Sequence, residues 1–431
     1  MNNEEKFIVK KFSINKRLLP LYTLLIYYFI TLIVFKYGPT EWPVKNEILL
    51  FSYLIFAYLS LSIGYILGIK YKFSSLKKDK VLKYFPFFLF LFLTMLPLTS
   101  FGRTGSFLPV ISLTSLDFGQ AYYNSQNVRS SWVEYLRILT GPATFAVLPL
   151  GIIYFKKMKL GIKFLFITSI IYFLMIDISR GTNKSIADFI LIFFITSLLI
   201  FVRNSITTKA LELSKRNLIK GTSLIIFISI SLFSFLQFFS LFIGSRTKSI
   251  YNSFSNTYLD LNNPFLKIVG NEELSYGLAM LMSYLTQGYY GLSLALEKPF
   301  VFTYGFGYSS FLLENIAELG FPYIKSESYP YRLFEDNWPT GQVWSSFFVW
   351  PASDITFLGV ILLMVLIGYI LGRSWMESLI YLNSSSIVVL CLMFILCFYL
   401  PLNNQLFQGG EPFIYTWFWL VLWLFGKKWL K

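Results

Sequence analysis

The sequence predicts an all-α integral membrane protein: a bundle of about ten transmembrane helices with one large external loop containing short helices. Three observations predict it. Of 431 residues, 55% are hydrophobic and 14% charged, against about 25% charged in soluble domains. Apolar runs of about 20 residues recur, each long enough to cross a hydrocarbon core of ~30 Å. The runs are continuous rather than alternating, and helices satisfy their own backbone in lipid.

Ten spans are expected, at 18–37, 48–69, 82–101, 138–155, 161–178, 186–202, 218–243, 354–372, 386–402 and 412–426. The first is too long for a signal peptide and lacks a small-residue cleavage site, so it is expected to stay as an anchor. The chain then divides into seven spans with short loops (1–244), a large loop (245–353) and three further spans (354–431).

Lys and Arg set the orientation. With the N-terminus inside, the inner segments hold 24 of the 37 basic residues and the outer segments 13. Both termini are then cytoplasmic and the large loop, which is net acidic, lies outside. The formal charge of +15 thus reflects topology and is no sign of nucleic-acid binding.

Several functional classes fall away. There is no histidine, so the commonest general base and metal ligand are absent, and proton transfer falls to Asp, Glu, Lys or Tyr. Cys391 and Cys397, six residues apart in the ninth span, do not share a helix face, so packing is their expected role. No Walker loop, dinucleotide fingerprint or zinc-protease motif occurs. Few acids lie mid-membrane, against a proton-coupled transporter.

A structureless loop as long as 245–353 would be unusual. Within it, residues 272–296 read as a helix, with Leu274, Leu278, Leu281, Leu285, Leu292 and Leu296 at helical spacings. The simplest placement is an interfacial helix lying on the membrane. Residues 299–353 are rich in turn-forming Gly and Pro and hold Trp338, Trp344 and Trp350. Such aromatics suit sugar faces or an interfacial belt.

Six of ten arginines face outward: Arg103, Arg129, Arg137, Arg180, Arg246 and Arg332; only four of the 24 inner basic residues are Arg. Arginine suits bidentate phosphate binding. Two outer segments resemble each other, Ser179-Arg180-Gly181-Thr182-Asn183-Lys184-Ser185 and Ser245-Arg246-Thr247-Lys248-Ser249. The first opens a helix, whose N-terminal amides favour an anion. Arg180, Arg246, Lys184 and Lys248, with Arg332, are therefore diphosphate-binding candidates; local pairs Asp177–Arg180 and Lys184–Asp188 are the other reading. Asp354 is the first candidate base, although its place at a span start also suits a helix cap. Asp336 is the second.

The chain resembles the bacterial O-antigen and capsule repeat-unit polymerases of the Wzy type. The resemblance spans the whole architecture. Locally it rests on Ser179-Arg180-Gly181, on Tyr284 to Leu292 (YLTQGYYGL), on Tyr304-Gly305-Phe306-Gly307, and on Asn337 onward to Asp354-Ile-Thr-Phe-Leu-Gly359. It implies a glycosyltransferase of the bacterial inner membrane that uses undecaprenyl-diphosphate-linked oligosaccharides at the outer face. It also implies sugar contacts from Trp338, Trp344, Tyr304 and Asn337, and no cofactor, nucleotide or obligatory metal. Membrane lipid is an implied partner, with a chain-length regulator and a flippase as further candidates. O-antigen ligases share the architecture but typically rely on a histidine, which this chain lacks. A glycolipid flippase is the alternative of a different class.

Overall fold

A computed structural model describes residues 13–71, 81–109, 121–122, 125, 130–207, 237, 239–240, 249–267 and 271–429. Six long helices open the chain: α1 (Ile14–Tyr37), α2 (Glu47–Ile69), α3 (Phe85–Thr104), α4 (Ser131–Tyr154), α5 (Leu160–Ser179) and α6 (Lys184–Thr207). A small hairpin pairs β1 (Tyr251–Asn252) with β2 (Thr257–Tyr258). Then come α7 (Glu272–Ala295), α8 (Ser310–Glu318), α9 (Pro322–Glu327), α10 (Tyr329–Arg332), α11 (Val349–Tyr381), α12 (Ser384–Tyr399) and α13 (Gly410–Trp429).

Seven of the described helices are long and apolar enough to cross a membrane: α1 to α6 and α11. The predicted seventh span, 218–243, lies almost wholly outside the described residues. Exposed side chains such as Ile26, Phe29 and Ile30 on α1, or Leu358, Leu362 and Leu366 on α11, form apolar outer faces. In water they would be a liability; in lipid they are the solvent-facing surface.

The predicted ninth span corresponds to α12, with 16 residues and a length of about 24 Å. Almost all of it is buried in protein. It ends at Tyr399, and the non-helical stretch 400–409 that follows keeps Asn403, Asn404 and Gln405 buried. Irregular backbone inside a bundle is tolerated where protein groups satisfy it. Here Ser309 and Ser310 donate to the Phe407 and Gln408 carbonyls at 2.7 and 2.8 Å, and Asn404 donates to the Tyr308 carbonyl at 2.7 Å.

Helix α7 departs from the interfacial placement. Its second half, Thr286 to Ala295, is buried. Tyr289 OH bonds Thr31 Oγ1 at 2.9 Å and Tyr58 OH at 2.7 Å, so the helix plugs into the bundle between α1 and α2. Gly288 explains the close approach: a Cβ there would sit 2.1 Å from the Pro401 carbonyl oxygen. The glycines that weaken α7 as an isolated helix are what let it dock.

Helices α2 and α11 form the tightest seam. The hexapeptide Ile-Gly-Tyr-Ile-Leu-Gly occurs in both, at Ile63–Gly68 and at Ile367–Gly372. The copies pack on each other: Gly64 meets Val365 and Gly68 meets Tyr369, while Gly368 meets Leu61 and Gly372 meets Tyr65. The partners advance together in sequence, so the helices run parallel. Small residues four apart allow backbones to touch, the association device of membrane helices.

A break divides α11. Thr356 has φ 62° and ψ 166°, a strained setting for a β-branched residue. Its Oγ1 accepts from Gly359 N at 3.3 Å and so caps the segment that follows.

Candidate functional site

The ends of five helices meet at the end of the bundle that carries the large loop. They are the C-terminal ends of α3 and α5 and the N-terminal ends of α4, α6 and α13. Each brings a charged residue: Arg103 from α3, Glu134 and Arg137 from α4, Asp177 and Arg180 from α5 and the turn after it, Lys184 and Asp188 from α6, and Glu411 from α13. Gly141 permits the α4–α13 contact, a Cβ there falling 3.1 Å from the Glu411 side chain.

A chain of ion pairs runs across these ends. Arg103 Nε lies 3.4 Å from Glu134 Oε1, and Arg137 Nη1 donates to Glu134 Oε2 at 2.6 Å. The other arm of Arg137 donates to Glu411. Arg137 thus ties α4 to α13, and its side chain is only 11% exposed. Asp177 organises the turn instead. Its Oδ2 accepts from Ser185 N at 2.7 Å, and its backbone carbonyl accepts from Thr182 N at 2.9 Å.

Arg180 is the least committed guanidinium of the group. Its Nη1 lies 3.9 Å from Asp177 Oδ1, beyond hydrogen-bonding distance, and its buried Nε has no acceptor among the described residues. Burial lowers its pKa; Asp177 opposes the shift and neighbouring Arg137 adds to it. An unsatisfied buried guanidinium N–H costs about 1–3 kcal/mol, which a bound anion would recover.

Below this rim lies a cavity of about 260 Å³ with an adjoining recess of about 70 Å³. Arg103, Glu134, Arg137, Lys184, Ser185, Asp188 and Glu411 line the upper part. Phe92, Phe145, Leu148, Phe173, Phe189 and Ile192 line the rest. From Arg103 to Phe92 is eleven residues along α3, about 16 Å at 1.5 Å per residue. The space is amphipathic along the bundle axis, charged at the end and apolar toward the middle.

The sequence-predicted residues divide into three sets. Lys184 lines the cavity; Arg180 does not line it but lies at the same end of the bundle, beside the wall residue Asp177. Arg246 and Lys248 lie outside the described residues. The rest do not line the cavity. Arg332 Nη1 donates to the Pro299 carbonyl at 2.8 Å. Asp336 pairs with Lys298 at 2.9 Å, as does Glu335 at 2.8 Å. Burial opposes the Lys298 charge, but hydrogen bonds to Glu335 and Asp336 raise its pKa. Asn337, at φ 56°, donates to the Ser253 carbonyl at 2.8 Å and so seats the hairpin.

Two expectations are corrected outright. Trp338 is fully buried and donates to the Trp344 carbonyl at 3.2 Å; it is a core side chain that no sugar can reach. Asp354 is engaged by the loop. Its Oδ1 accepts from Thr303 Oγ1 at 2.6 Å, Gly305 N at 2.9 Å and Gly307 N at 3.2 Å, and its Oδ2 from Tyr308 N at 2.9 Å. Three donors fall on Oδ1 and one on Oδ2, which makes Asp354 a clamp for residues 303–308 rather than a side chain presented freely to a substrate. The Tyr304-Gly305-Phe306-Gly307 motif and the Asp354 motif are therefore two halves of one contact. Asp354→Ala is expected to loosen that loop, read as faster proteolytic cleavage within 299–309 with the helical bundle intact. Trp344 donates to Tyr284 OH at 3.0 Å, and Tyr304 is 61% exposed on the turn that Asp354 holds; both remain open to a ligand.

Sequence reading did not place Arg137, Arg103, Glu134, Asp188 or Glu411 in a site. The available signal was the recurrence of charge within one turn of predicted span ends, on spans that alternation puts at one face. No protein-family model, curated protein or solved structure matches this chain.

Proposed function

We propose that this protein is a polymerase joining undecaprenyl-diphosphate-linked oligosaccharide repeat units into O-antigen or capsular polysaccharide, a glycosyltransferase acting at the outer face of the bacterial cytoplasmic membrane. Both termini would be cytoplasmic and the large loop extracytoplasmic. The observation that carries the reading is the amphipathic cavity. Its charged end offers Lys184 to a diphosphate, with Arg103 and Arg137 alongside, and Arg180 stands at the same end of the bundle next to the wall residue Asp177. Its apolar wall runs toward the membrane interior, where a polyprenyl chain belongs. Breaking the sugar–diphosphate bond builds charge on the leaving group, and preorganised cations stabilise it. The loop above, with Tyr304 and Trp344 accessible, supplies a surface for the growing saccharide.

The test uses purified protein in nanodiscs with undecaprenyl-diphosphate-linked repeat units, products being resolved on a gel. A ladder of lengthening saccharide is expected. A single transfer product onto an added acceptor would indicate a ligase, and no new bond from folded protein would overturn the reading.

The charge-lined cavity specifically favours one second reading, a glycolipid flippase, since transporters hold charge in interior cavities. That activity would move substrate between leaflets of a vesicle without forming a glycosidic bond.

A further inference from the structure

We infer that Asp188, on the cavity wall, is the base that takes the proton from the acceptor hydroxyl. This inference rests on the polymerase reading above. With no histidine in the chain, a carboxylate is the natural proton acceptor at neutral pH. Four described carboxylates stand at the cavity: Glu134, Asp177, Asp188 and Glu411. Three of them already have strong engagements. Glu134 lies between two arginines, Glu411 is held by Arg137, and Asp177 receives the Ser185 amide with Arg180 nearby.

Asp188 differs. Among the described residues no arginine forms an ion pair with it, and the cation acting on it is Lys184 one turn earlier. Neutral groups, Tyr399 and Gln405, lie within hydrogen-bonding reach of the carboxyl. They come from the end of α12 and the irregular segment after it, so the interrupted helix positions this side chain. Oδ1 is buried with no donor among the described residues, an arrangement that costs free energy until a donor arrives. The residue itself is part of the cavity wall, where an acceptor hydroxyl would meet the carboxyl.

The step balances as follows. The acceptor O–H proton passes to the Asp188 carboxylate. The acceptor oxygen forms a bond to the anomeric carbon of the donor sugar. The bond from that carbon to the diphosphate oxygen breaks, and its electron pair leaves on the diphosphate, facing Arg180 and Lys184. Asp188 then returns its proton to water.

Asp188→Asn preserves size and hydrogen-bond acceptance but removes the basicity. In the gel assay its turnover number is expected to fall by about 10²–10⁴-fold, the usual contribution of a positioned acid or base. KM for the lipid-linked unit and the melting temperature should stay at wild-type values. Polymer made at a rate within a few-fold of wild type would overturn the inference. So would a loss accompanied by a parallel drop in melting temperature or in substrate binding, the mark of a structural role. Wild-type protein on the same gel separates the two claims: without a wild-type ladder the polymerase reading fails, and the role of Asp188 falls with it.

Discussion

Replacing Arg180 by alanine is expected to lower polymer formation by about 10²–10³-fold, the loss typical of removing one donor to a developing negative charge. Folding should hardly change. The Arg180 side chain makes no hydrogen bond to Asp177 at 3.9 Å, and its buried Nε lacks an acceptor among the described residues, so truncation removes a desolvated charge that contributes little to the folded state. Asp177 keeps its helix-organising bond to Ser185. Arg137 is the instructive contrast. Removing it strands Glu411 and leaves Glu134 with Arg103 alone; breaking a fully buried ion pair costs about 3–5 kcal/mol, and this partly exposed one should cost less but still measurably. An Arg137 variant should therefore lose activity and stability together, an Arg180 variant activity alone. Full activity of Arg180→Ala in the gel assay, with normal melting, would remove the diphosphate assignment.

The largest stability effect is expected where α2 crosses α11. A Cβ added at Gly64 would sit 1.9 Å from the Val365 carbonyl oxygen, and one at Gly368 would sit 2.0 Å from that of Leu61. Neither obstacle is a side chain that can rotate away, so the helices must separate. Gly64→Val or Gly368→Val should cost about 3 kcal/mol or more, the upper part of the overpacking range, and lower the thermal transition of the detergent-solubilised protein. Gly161 is the control. It lies in the first turn of α5, and a Cβ added there would meet open space, with no neighbour within 4 Å. Gly161→Ala should be neutral or gain up to about 1 kcal/mol from helix propensity. Equal transitions for the Gly64 and Gly161 variants would show that the seam does not hold the bundle.

Legibility from sequence varied with the physics involved. Helices α1 to α3, α5, α6 and the core of α11 stand close to where apolar run length put them, because the length of a lipid-spanning helix is written in consecutive residues; α4 starts at Ser131, seven residues before the predicted 138, because the charged Glu134 and Arg137 hid its first turns from an apolar count. The large loop does hold helices, as its length required. Helix α7 was readable as a helix from its leucine spacing but not as a plug, since its buried glycines gain meaning only from the Pro401 and Ser345 backbone they face. The repeated hexapeptide on α2 and α11 was visible as a string; that its two copies touch was not.

Among candidate site residues, Arg180 and Lys184 were legible because phosphate chemistry favours Arg, Lys and a helix start in one short segment. Trp338 and Asp354 misled for a common reason. Residue type speaks for what a side chain can do, and burial or prior hydrogen bonding decides whether it is available. Trp338 is enclosed, and the loop at 303–308 occupies Asp354.

By itself, then, the sequence determined the helical membrane class, the apolar register of most spans and the cationic turn at 179–184, since these follow from local composition and period. The tertiary structure decided which charges share a cavity. Glu134, Arg137, Asp188 and Glu411 come from three helices as distant in the chain as residues 134 and 411. Their meeting depends on the packing of α4 with both α6 and α13, and on glycines such as Gly141 that allow close approach. Such long-range proximity is a property of the packed bundle, which no local window of residues contains.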